Sequence, residues 1–340
     1  MTIKPHTSNH YRTNKALGNA ACRRLLGAHV SASKDNNFGV APAQDLNINA
    51  AQIFGSNKLQ WAPRNYSKEQ ISNFRYGREK AGLKKVFSHG IYLINLGAAK
   101  ENPVVYKKSI RAVAEGLKIC ESLGLDGLII HLGSNYGLGI EGVLKSVITG
   151  LLEARQLSRC NVPLLLENAA GSPRVIGGRL ADFAPIIEGL DGDPLIQVCI
   201  DTAHAHAFGY DLGTDKGLSL LLSEAQNSFG LERLKALHIN DSKVACGETL
   251  DRHENLGAGK IGFAGLSKTL NHPLLSDVPA IMETPGYDGT GPDRGNVEIL
   301  KSLCGELAVA PEILMRRARQ RASRRHRRRL ASKRIKDKSS

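Results

Sequence analysis

Residues 196–210 bring together the side chains of this sequence that are best suited to chemistry. An apolar run typical of a buried strand ends abruptly in Asp201, and His204 follows where the strand would give way to a turn or helix. An unpaired carboxylate buried there would be costly, so we expect Asp201 to have a cation or a hydrogen-bond partner. The same pattern recurs along the chain: an apolar run, then one His, Asp or Glu, then glycine or a turn.

Eight apolar runs of strand character account for this recurrence, and most are separated by segments long enough for a helix. They are Leu25–Val30, Ala50–Phe54, Lys85–Ser88, Gly127–Ile130, Val162–Leu166, Ile196–Ile200, Leu234–Leu237 and Val278–Met282. Helical spacing of apolar residues is clearest over Ser109–Leu123, and Gly142–Leu157 and Phe263–Leu270 are similar. Strands that alternate with helices imply parallel pairing, so the sequence predicts an α/β fold, a closed (β/α)8 TIM barrel.

The residues that close these runs indicate a metal site. In a barrel all strands end on one face, which carries the active site, and seven of the eight runs deliver a metal-competent side chain there. In chain order the closing residues are His29, Phe54, His89, His131, Glu167, Asp201, His238 and Glu283. One such residue would be an ordinary capped polar group, but seven in phase favour a common function. His29 is as consistent with packing behind the site as with ligation.

Three further candidates lie beyond the strand ends: His204, Asp251 and His253. Asp251 and His253 are two residues apart, which in an extended chain points both side chains to one side. Without His29 the set holds five imidazoles and four carboxylates, a composition suited to Zn²⁺, Mn²⁺ or Fe²⁺. Nine ligands fit three ions if one carboxylate bridges, and three dications would leave the site with a charge of about +2. That charge favours an anion that gains charge during the reaction, such as a phosphodiester.

The positive charge of the chain is concentrated at its C-terminal end. The net formal charge is +14, and residues 316–340 contribute +12 of it, through ten Arg and three Lys against Asp337. We therefore divide the chain into a polar basic extension over 1–23, a catalytic domain over 24–306 and a strongly basic tail over 307–340. Met315–Leu330 could form a cationic helix, but such a dense run of like charges favours a disordered arm. The arm would be a solvated tail, a source of sequence-independent DNA affinity, or a nuclear import signal.

Two other classes of partner find no support in the sequence. No apolar run approaches the ~18 residues that span a bilayer, so we expect no membrane partner. Gly257-Ala-Gly259-Lys-Ile-Gly262 fits the G-x-G-x-x-G pattern, but it does not follow a strand. We therefore expect no nucleotide cofactor there.

The sequence resembles the endonuclease IV family of apurinic/apyrimidinic (AP) endonucleases, AP endonuclease family 2, over residues 24–306. All nine ligands expected from that family are present in order. The matching segments include Gly27-Ala-His-Val-Ser-Ala32, His89-Gly-Ile-Tyr-Leu-Ile-Asn-Leu-Gly97, His131-Leu-Gly-Ser134, Leu166-Glu-Asn168, Cys199-Ile-Asp-Thr-Ala-His204, Gly209-Tyr-Asp211, His238-Ile-Asn-Asp-Ser-Lys243, Asp251-Arg-His253, Leu256-Gly257 and Glu283-Thr284.

The resemblance implies a metal-dependent DNA repair enzyme that hydrolyses the phosphodiester 5′ to an abasic site. The products would be a 3′-hydroxyl and a 5′-deoxyribose phosphate, and a 3′-phosphodiesterase activity would accompany this reaction. The resemblance also implies three Zn²⁺ per chain, with Mn²⁺ as an alternative at one site. Glu167 would be the catalytic bridging carboxylate for the nucleophilic hydroxide. The three ligand sets would be His89, His131 and Glu167; then Glu167, Asp201, His238 and Glu283; then His204, Asp251 and His253.

Two loops match the positions at which family members insert side chains into damaged DNA. Tyr92 and Leu93 follow the His89 strand, and the second loop runs from Asn57 to Trp61. Lys58 could contact phosphate and Leu59 could wedge between bases. The family usually has an Arg where this chain has Leu59, so the geometry of damage recognition stays open. Ordinary packing on the barrel top is the alternative for Tyr92 and Trp61.

Two rival functions fit parts of this pattern. A sugar isomerase or epimerase of the same barrel type would also use Glu, Asp and His at strand ends, but it would not require His204, Asp251 and His253. A catalytically silent DNA-binding scaffold is the second rival, and the complete ligand set argues against it. The expected partner is double-stranded DNA with abasic sites, bound by a monomer. The compartment would be the nucleoid-associated cytoplasm in a prokaryote and the nucleus in a eukaryote, with residues 316–340 as import signal.

Overall fold

A computed structural model of the chain describes residues 24–32 and 39–339, with 328–339 as helical backbone. The N-terminal extension predicted over residues 1–23 lies outside the described residues. The strands are β1 (Leu26–His29), β2 (Ala50–Phe54), β3 (Lys85–His89), β4 (Gly127–Ile130), β5 (Leu164–Glu167), β6 (Ile196–Asp201), β7 (Leu234–His238), β8 (Asp241–Ser242), β9 (His253–Glu254) and β10 (Ala280–Met282).

Eight of these strands form the barrel that the sequence predicts. They pair in parallel in the closed order β1-β2-β3-β4-β5-β6-β7-β10, and β8 and β9 form a separate antiparallel pair above β7. The helices are α1 (Val40–Leu46), α2 (Lys68–Lys80), α3 (Pro103–Leu123), α4 (Gly139–Ser158), α5 (Phe183–Glu188), α6 (Thr202–Phe208), α7 (Asp215–Ser228), α8 (Gly262–Leu270), α9 (Arg294–Leu303) and α10 (Pro311–Ser339). The TIM-barrel prediction is confirmed.

Local sequence explains where the long helices begin and end. Asn102 caps α3 by accepting the N–H of Val105, Pro103 occupies the first helical position, and Gly124 ends the helix in a left-handed conformation. The Ser67 hydroxyl and the Gln70 side chain form a reciprocal capping box at the start of α2. Among the described residues, no helix is both long and apolar enough to cross a bilayer.

The interior of the barrel is filled by one layer of mostly apolar side chains below the catalytic face. It consists of Ala50, Phe87, Ile129, Leu165, Cys199, Ala236 and Ile281. Side chains alternate along a strand, so the residue two positions later points to the same interior, nearer the carboxyl end. These residues are Gln52, His89, His131, Glu167, Asp201, His238 and Glu283. The period of two therefore brings six predicted ligands together.

The basic tail differs from the disordered arm that its charge predicts. Residues 311–339 form helix α10, and its first turns pack on α9. Leu314 and Ala318 are buried there, and the guanidinium of Arg321 forms a 2.5 Å salt bridge with Glu298. An apolar face of three turns, which charge counting ignores, anchors the helix to the barrel.

The glycine-rich stretch 257–262 wraps a carboxylate of the chain itself. The backbone N–H groups of Gly259, Ile261 and Gly262 donate to the Asp241 carboxylate at 2.9, 3.0 and 3.3 Å. A Cβ at Gly259 would lie 2.3 Å from the Ser242 carbonyl oxygen, so this close approach requires glycine. Asp241 occupies the position that a phosphate would take in a nucleotide-binding loop, and it fixes the segment beside β8 and β9.

Candidate metal centre

Glu167, the last residue of β5, lies at the centre of the catalytic face. Its Oε2 atom is 3.1 Å from His89 Nε2 and 3.4 Å from His131 Nε2. Its Oε1 atom is 2.8 Å from His238 Nδ1. The carboxylate is fully buried and turns each oxygen toward a different set of imidazoles, which is the arrangement of a bridging ligand.

A second group surrounds the Oε1 side of Glu167. His238 Nδ1 lies 3.5 Å from Glu283 Oε2 and 3.9 Å from Asp201 Oδ2. All four ligand atoms of this group lie within 4.8 Å of one another. Asp201 Oδ2 is also 3.6 Å from His253 Nε2. Asp201 therefore lies between the second and third groups.

The third group is a nearly regular triangle of donor atoms. His204 Nε2 and His253 Nε2 are 3.4 Å apart, and they lie 3.3 and 3.4 Å from Asp251 Oδ1. Tetrahedral Zn²⁺ with bonds of roughly 2.0–2.1 Å separates its ligand atoms by about 3.3–3.4 Å. The chain thus presents two imidazoles and one carboxylate at the spacing that a zinc ion requires.

Outer hydrogen bonds orient four of the five imidazoles. His89 Nδ1 donates to the Gly90 carbonyl at 2.7 Å, and His204 Nδ1 donates to the Asn168 carbonyl at 3.0 Å. His253 Nδ1 lies 3.3 Å from the Glu283 carbonyl. A carbonyl only accepts, so each of these rings keeps a proton on Nδ1 and directs Nε2 into the site as the atom that can bind a metal ion. In the third group two such nitrogens face each other and a carboxylate, an arrangement that a metal ion or a proton stabilises.

Gln52 orients the remaining buried imidazole and was missed by the sequence analysis. Its Oε1 atom accepts a hydrogen bond from His238 Nε2 at 2.7 Å, which leaves Nδ1 to face Glu167. Its amide nitrogen lies 2.8 Å from His29 Nδ1 and also donates to Glu283. His29 Nδ1 is 3.1 Å from Glu283 Oε1, so His29 contacts a ligand from behind.

Local helix capping links two of the predicted ligands. Asp201 Oδ1 accepts the backbone N–H of His204 at 2.9 Å and is the N-cap of α6. The other oxygen accepts from Asn240 Nδ2 at 2.6 Å. Asp201 is thus held by two donors and directs its remaining lone pairs at the site, while the helix that it caps carries His204 into the third group.

The site stabilises positive charge. Burial acts to raise the pKa of the Glu167 carboxyl, but the imidazoles of His131 and His238 hold it well below its ordinary value. Burial acts to lower the pKa of His204, yet the carboxylates of Asp201 and Asp251 raise it to about 10. The pKa of Asp251 is about 2, because His204 outweighs the effect of burial. In the metal-free protein protons supply the charge that a divalent ion would bring.

A cleft of about 1010 Å³ opens above these groups. Its lining includes His29, Asp251, His253 and Glu283 from the site, Lys58 and Arg64 from the β2–α2 loop, Tyr92, and residues 289–292 of the β10–α9 loop. The Tyr92 ring stands edge-on over His89 with ring centroids 5.7 Å apart. The structure therefore places the predicted Lys58 and Tyr92 over the ligands, and adds Arg64, which the sequence analysis did not single out.

The loop residues predicted to contact DNA lie in different environments. The Tyr92 N–H donates to the Lys58 carbonyl at 3.0 Å, and the Lys58 ammonium lies 5.3 Å from the centre of the Tyr92 ring. Leu59 projects from the same loop and is 64% exposed. Trp61 instead lies on α3, with the Lys108 ammonium 5.7 Å from its ring. Leu93 is half-buried, and none of Leu59, Trp61 and Leu93 lines the cleft.

Comparisons with known proteins agree with this geometry. A family model described as a xylose isomerase-like TIM barrel matches residues 40–303. The probable endonuclease 4 of Methanoculleus marisnigri is 35% identical over 282 residues, which cover 83% of this chain and 99% of that protein. Endonuclease IV from Thermus thermophilus superposes with a TM-score of 0.72 at 32% identity, over 83% of this chain and 100% of that chain.

The chain belongs to the endonuclease IV family. The resemblance inferred from the sequence motifs is thereby confirmed, and the chain takes an AP endonuclease family role. A D-tagatose 3-epimerase-like protein shares the fold with a TM-score of 0.63 at 16% identity, over 83% of this chain and 97% of that chain. That likeness concerns the barrel alone, so the donor set and the cleft must distinguish the two chemistries.

Proposed function

We propose that this chain hydrolyses the phosphodiester bond 5′ to an abasic site in duplex DNA. The P–O3′ bond breaks as water adds to phosphorus, which leaves a 3′-hydroxyl and a 5′-deoxyribose phosphate. The observation that carries the proposal is the bridging geometry of Glu167, whose two oxygens face two different imidazole sets at 2.8–3.4 Å. Divalent ions held by such sets lower the pKa of water toward neutrality and neutralise charge on a phosphoryl group.

The residues of the chain fit three ions. Glu167 stays ionised because its pKa is held low, so it is available to bridge at any ordinary pH. The outer partners of His89, His204, His238 and His253 direct one nitrogen of each ring into the site, where it would bind an ion in place of a proton. The third triangle has the spacing of tetrahedral zinc. We propose Zn²⁺ in all three positions, with Mn²⁺ as an alternative in one.

The cleft supports an extruded abasic nucleotide as the substrate. Such a nucleotide has lost its base stacking, so extruding it costs less than extruding a paired one. Lys58 and Arg64 provide positive charge on the β2–α2 side for the flanking phosphates, and Tyr92 provides a ring above His89. Leu59 is exposed on the same loop, and we assign to it the gap that the missing base leaves in the duplex. A blocked 3′ terminus presents the same phosphodiester, so we propose a 3′-phosphodiesterase activity as well.

The third ligand group argues against sugar epimerisation. An epimerase needs a metal at the strand ends, but His204, Asp251 and His253 lie beyond them and form a complete donor triangle of their own. A DNA repair role places the chain with the chromosome, in the cytoplasm of a prokaryote or the nucleus of a eukaryote.

The test is incision of a duplex that carries one abasic-site analogue, beside the same duplex without damage. The metal content of the protein is measured in parallel. We expect incision only at the lesion, with new ends of 3′-hydroxyl and 5′-deoxyribose phosphate. A fully metallated protein that leaves the lesion intact would exclude the proposal, and ketose epimerisation would then be assayed.

A further inference from the structure

Helix α10 runs toward the catalytic face and beyond it. Near its start, the Val309 carbonyl accepts a 2.6 Å hydrogen bond from Ser302 at the end of α9. Further along, a Cβ on Gly295, at the start of α9, would lie 2.5 Å from Ala318 Cβ. The two helices are therefore antiparallel. Since α9 begins at the catalytic face, α10 reaches that face at about Ala318.

The part of α10 past Ala318 adjoins the rim of the cleft. Arg319, Ser323 and Arg325 line a groove with Tyr287 and Asp288 of the β10–α9 loop. Residues 289–292 of that same loop line the catalytic cleft from the other side. One short loop thus separates the basic helix from the cleft.

The part of the helix from Arg321 onward is long and strongly cationic. Residues 321–339 extend for about 30 Å at 1.5 Å per residue, which matches about nine base pairs at 3.4 Å each. Between residues 324 and 338 there are six arginines and three lysines against Asp337. Arg324, Arg325 and Arg327 are exposed. Repulsion among these charges opposes the helix unless an anionic partner offsets it.

We propose that α10 is an arm that binds phosphate groups of the duplex flank leaving the cleft over the β10–α9 loop. The proposal rests on the proposed DNA substrate and adds a second contact region, outside the cleft and on one flank only. Its support is the charge complementarity with a polyanion, the position beside the rim, and the anchoring of its first turns by Leu314, Ala318 and Arg321. An anchored helix adds affinity without the full entropic cost of ordering a free tail.

The experiment compares two variants of equal charge change in the full-length, metal-loaded protein. The arm variant carries Arg324→Gln, Arg325→Gln and Arg327→Gln, and glutamine preserves helix propensity. The control carries Lys80→Gln, Lys84→Gln and Lys235→Gln, three exposed lysines on the opposite face of the barrel. Each protein is titrated with two lesion-analogue duplexes, one with its long flank on one side of the lesion and one with it on the other side, over a series of salt concentrations.

We expect the arm variant to bind only one of the two duplexes more weakly. The loss would be roughly eightfold for each contact removed at 0.1 M salt, and the slope of log affinity against log salt would fall by up to about 2.7. The lysine control should retain wild-type affinity for both duplexes. Circular dichroism of the arm variant would show that α10 is intact.

Two results would overturn the arm proposal. One is unchanged affinity of the arm variant for both duplexes, which would leave a solvated tail or a signal bound by another protein. The other is an equal loss on both duplexes that the lysine control reproduces, which would be a general charge effect. Incision by the wild type is scored separately, so a failure of the proposed catalytic function remains distinguishable from a failure of the arm.

Discussion

The floor of the cleft and its rim differ in how firmly their side chains are held. At the floor Glu167, Asp201 and His238 are fully buried, and each contacts several other polar groups. At the rim Tyr92 is 53% exposed and Leu59 is 64% exposed. The floor is preorganised for metal chemistry by its outer hydrogen bonds, whereas at the rim Tyr92 is held by ring contacts with Phe54 and His89 and by one hydrogen bond to the Lys58 carbonyl.

Substitutions in the two regions should therefore affect different properties of the protein. A change at the floor should remove metal and therefore turnover, while the damaged duplex should still bind. A change at the rim should weaken binding of the lesion while metal content stays at its wild-type value. Measurements of metal content, turnover and lesion affinity on the same variants separate these effects.

Glu167→Gln should have the largest effect. The amide cannot bridge two cations, and it leaves buried imidazoles without their counter-charge. We expect turnover on the lesion duplex to fall by about a thousandfold or more, since metal stabilisation of transition-state charge contributes several kcal/mol. Metal analysis should show at least one ion lost. Glu188→Gln, at an exposed position at the end of α5, is the control; wild-type turnover and metal content in Glu167→Gln would refute the role of the floor.

The second largest effect should be the change of thermal stability with pH in the metal-free protein. The pKa of His204 rises from 6.5 to about 10 on folding, so its contribution to stability is fully present below pH 6.5 and is lost as the pH rises toward 10. A metal-loaded His204 carries no such proton, and metal affinity should rise by up to about tenfold per pH unit over this range. The Tm difference between zinc-loaded and chelated protein should therefore widen from pH 6.5 upward. A Tm difference between zinc-loaded and chelated protein that stays constant with pH would contradict this prediction.

Gln52→Ala should have an intermediate effect. The variant removes the acceptor of His238 Nε2, so the ring is no longer held with Nδ1 toward Glu167. Changes in such outer partners cost about 10–100-fold in metal affinity or activity. The control is Gln197→Ala on β6, whose amide donates a long hydrogen bond of 3.4 Å to the Pro194 carbonyl. Metal affinity in Gln52→Ala equal to that of the control would mean that the His238 ring needs no such support.

Gln52 also shows what the sequence could and could not predict. The apolar runs and their closing His, Asp and Glu residues predicted the barrel and the ligand face, because burial and the period of two are local properties. Gln52 obeys the same period, two positions after the interior residue Ala50. A rule that searched for any polar residue at that interior position, rather than for one that ends a run, would have found it.

Other features depend on contacts that no local pattern encodes. The disordered-arm prediction for the tail counted charge, whereas Leu314 and Ala318 anchor the helix through packing on α9. The orientation of Trp61 toward α3 depends on the path of the whole β2–α2 loop. Hydrogen bonds such as that from Asn240 to Asp201 join residues far apart in sequence, so only the closed barrel reveals them.

The smallest effects should come from substitutions at the rim. They should differ between its two apolar side chains, Leu59 and Trp61. Leu59→Ala removes an exposed wedge, so we expect about fivefold weaker binding of the lesion duplex, about 1 kcal/mol, with unchanged Tm and metal content. Trp61→Ala removes packing against α3, so we expect a lower Tm and unchanged affinity for the lesion. Fluorescence titration with lesion and undamaged duplexes, beside thermal melts, measures both. If Trp61→Ala instead weakens lesion binding without lowering Tm, Trp61 turns toward DNA when it binds, and the rim is more mobile than the contact with Lys108 indicates.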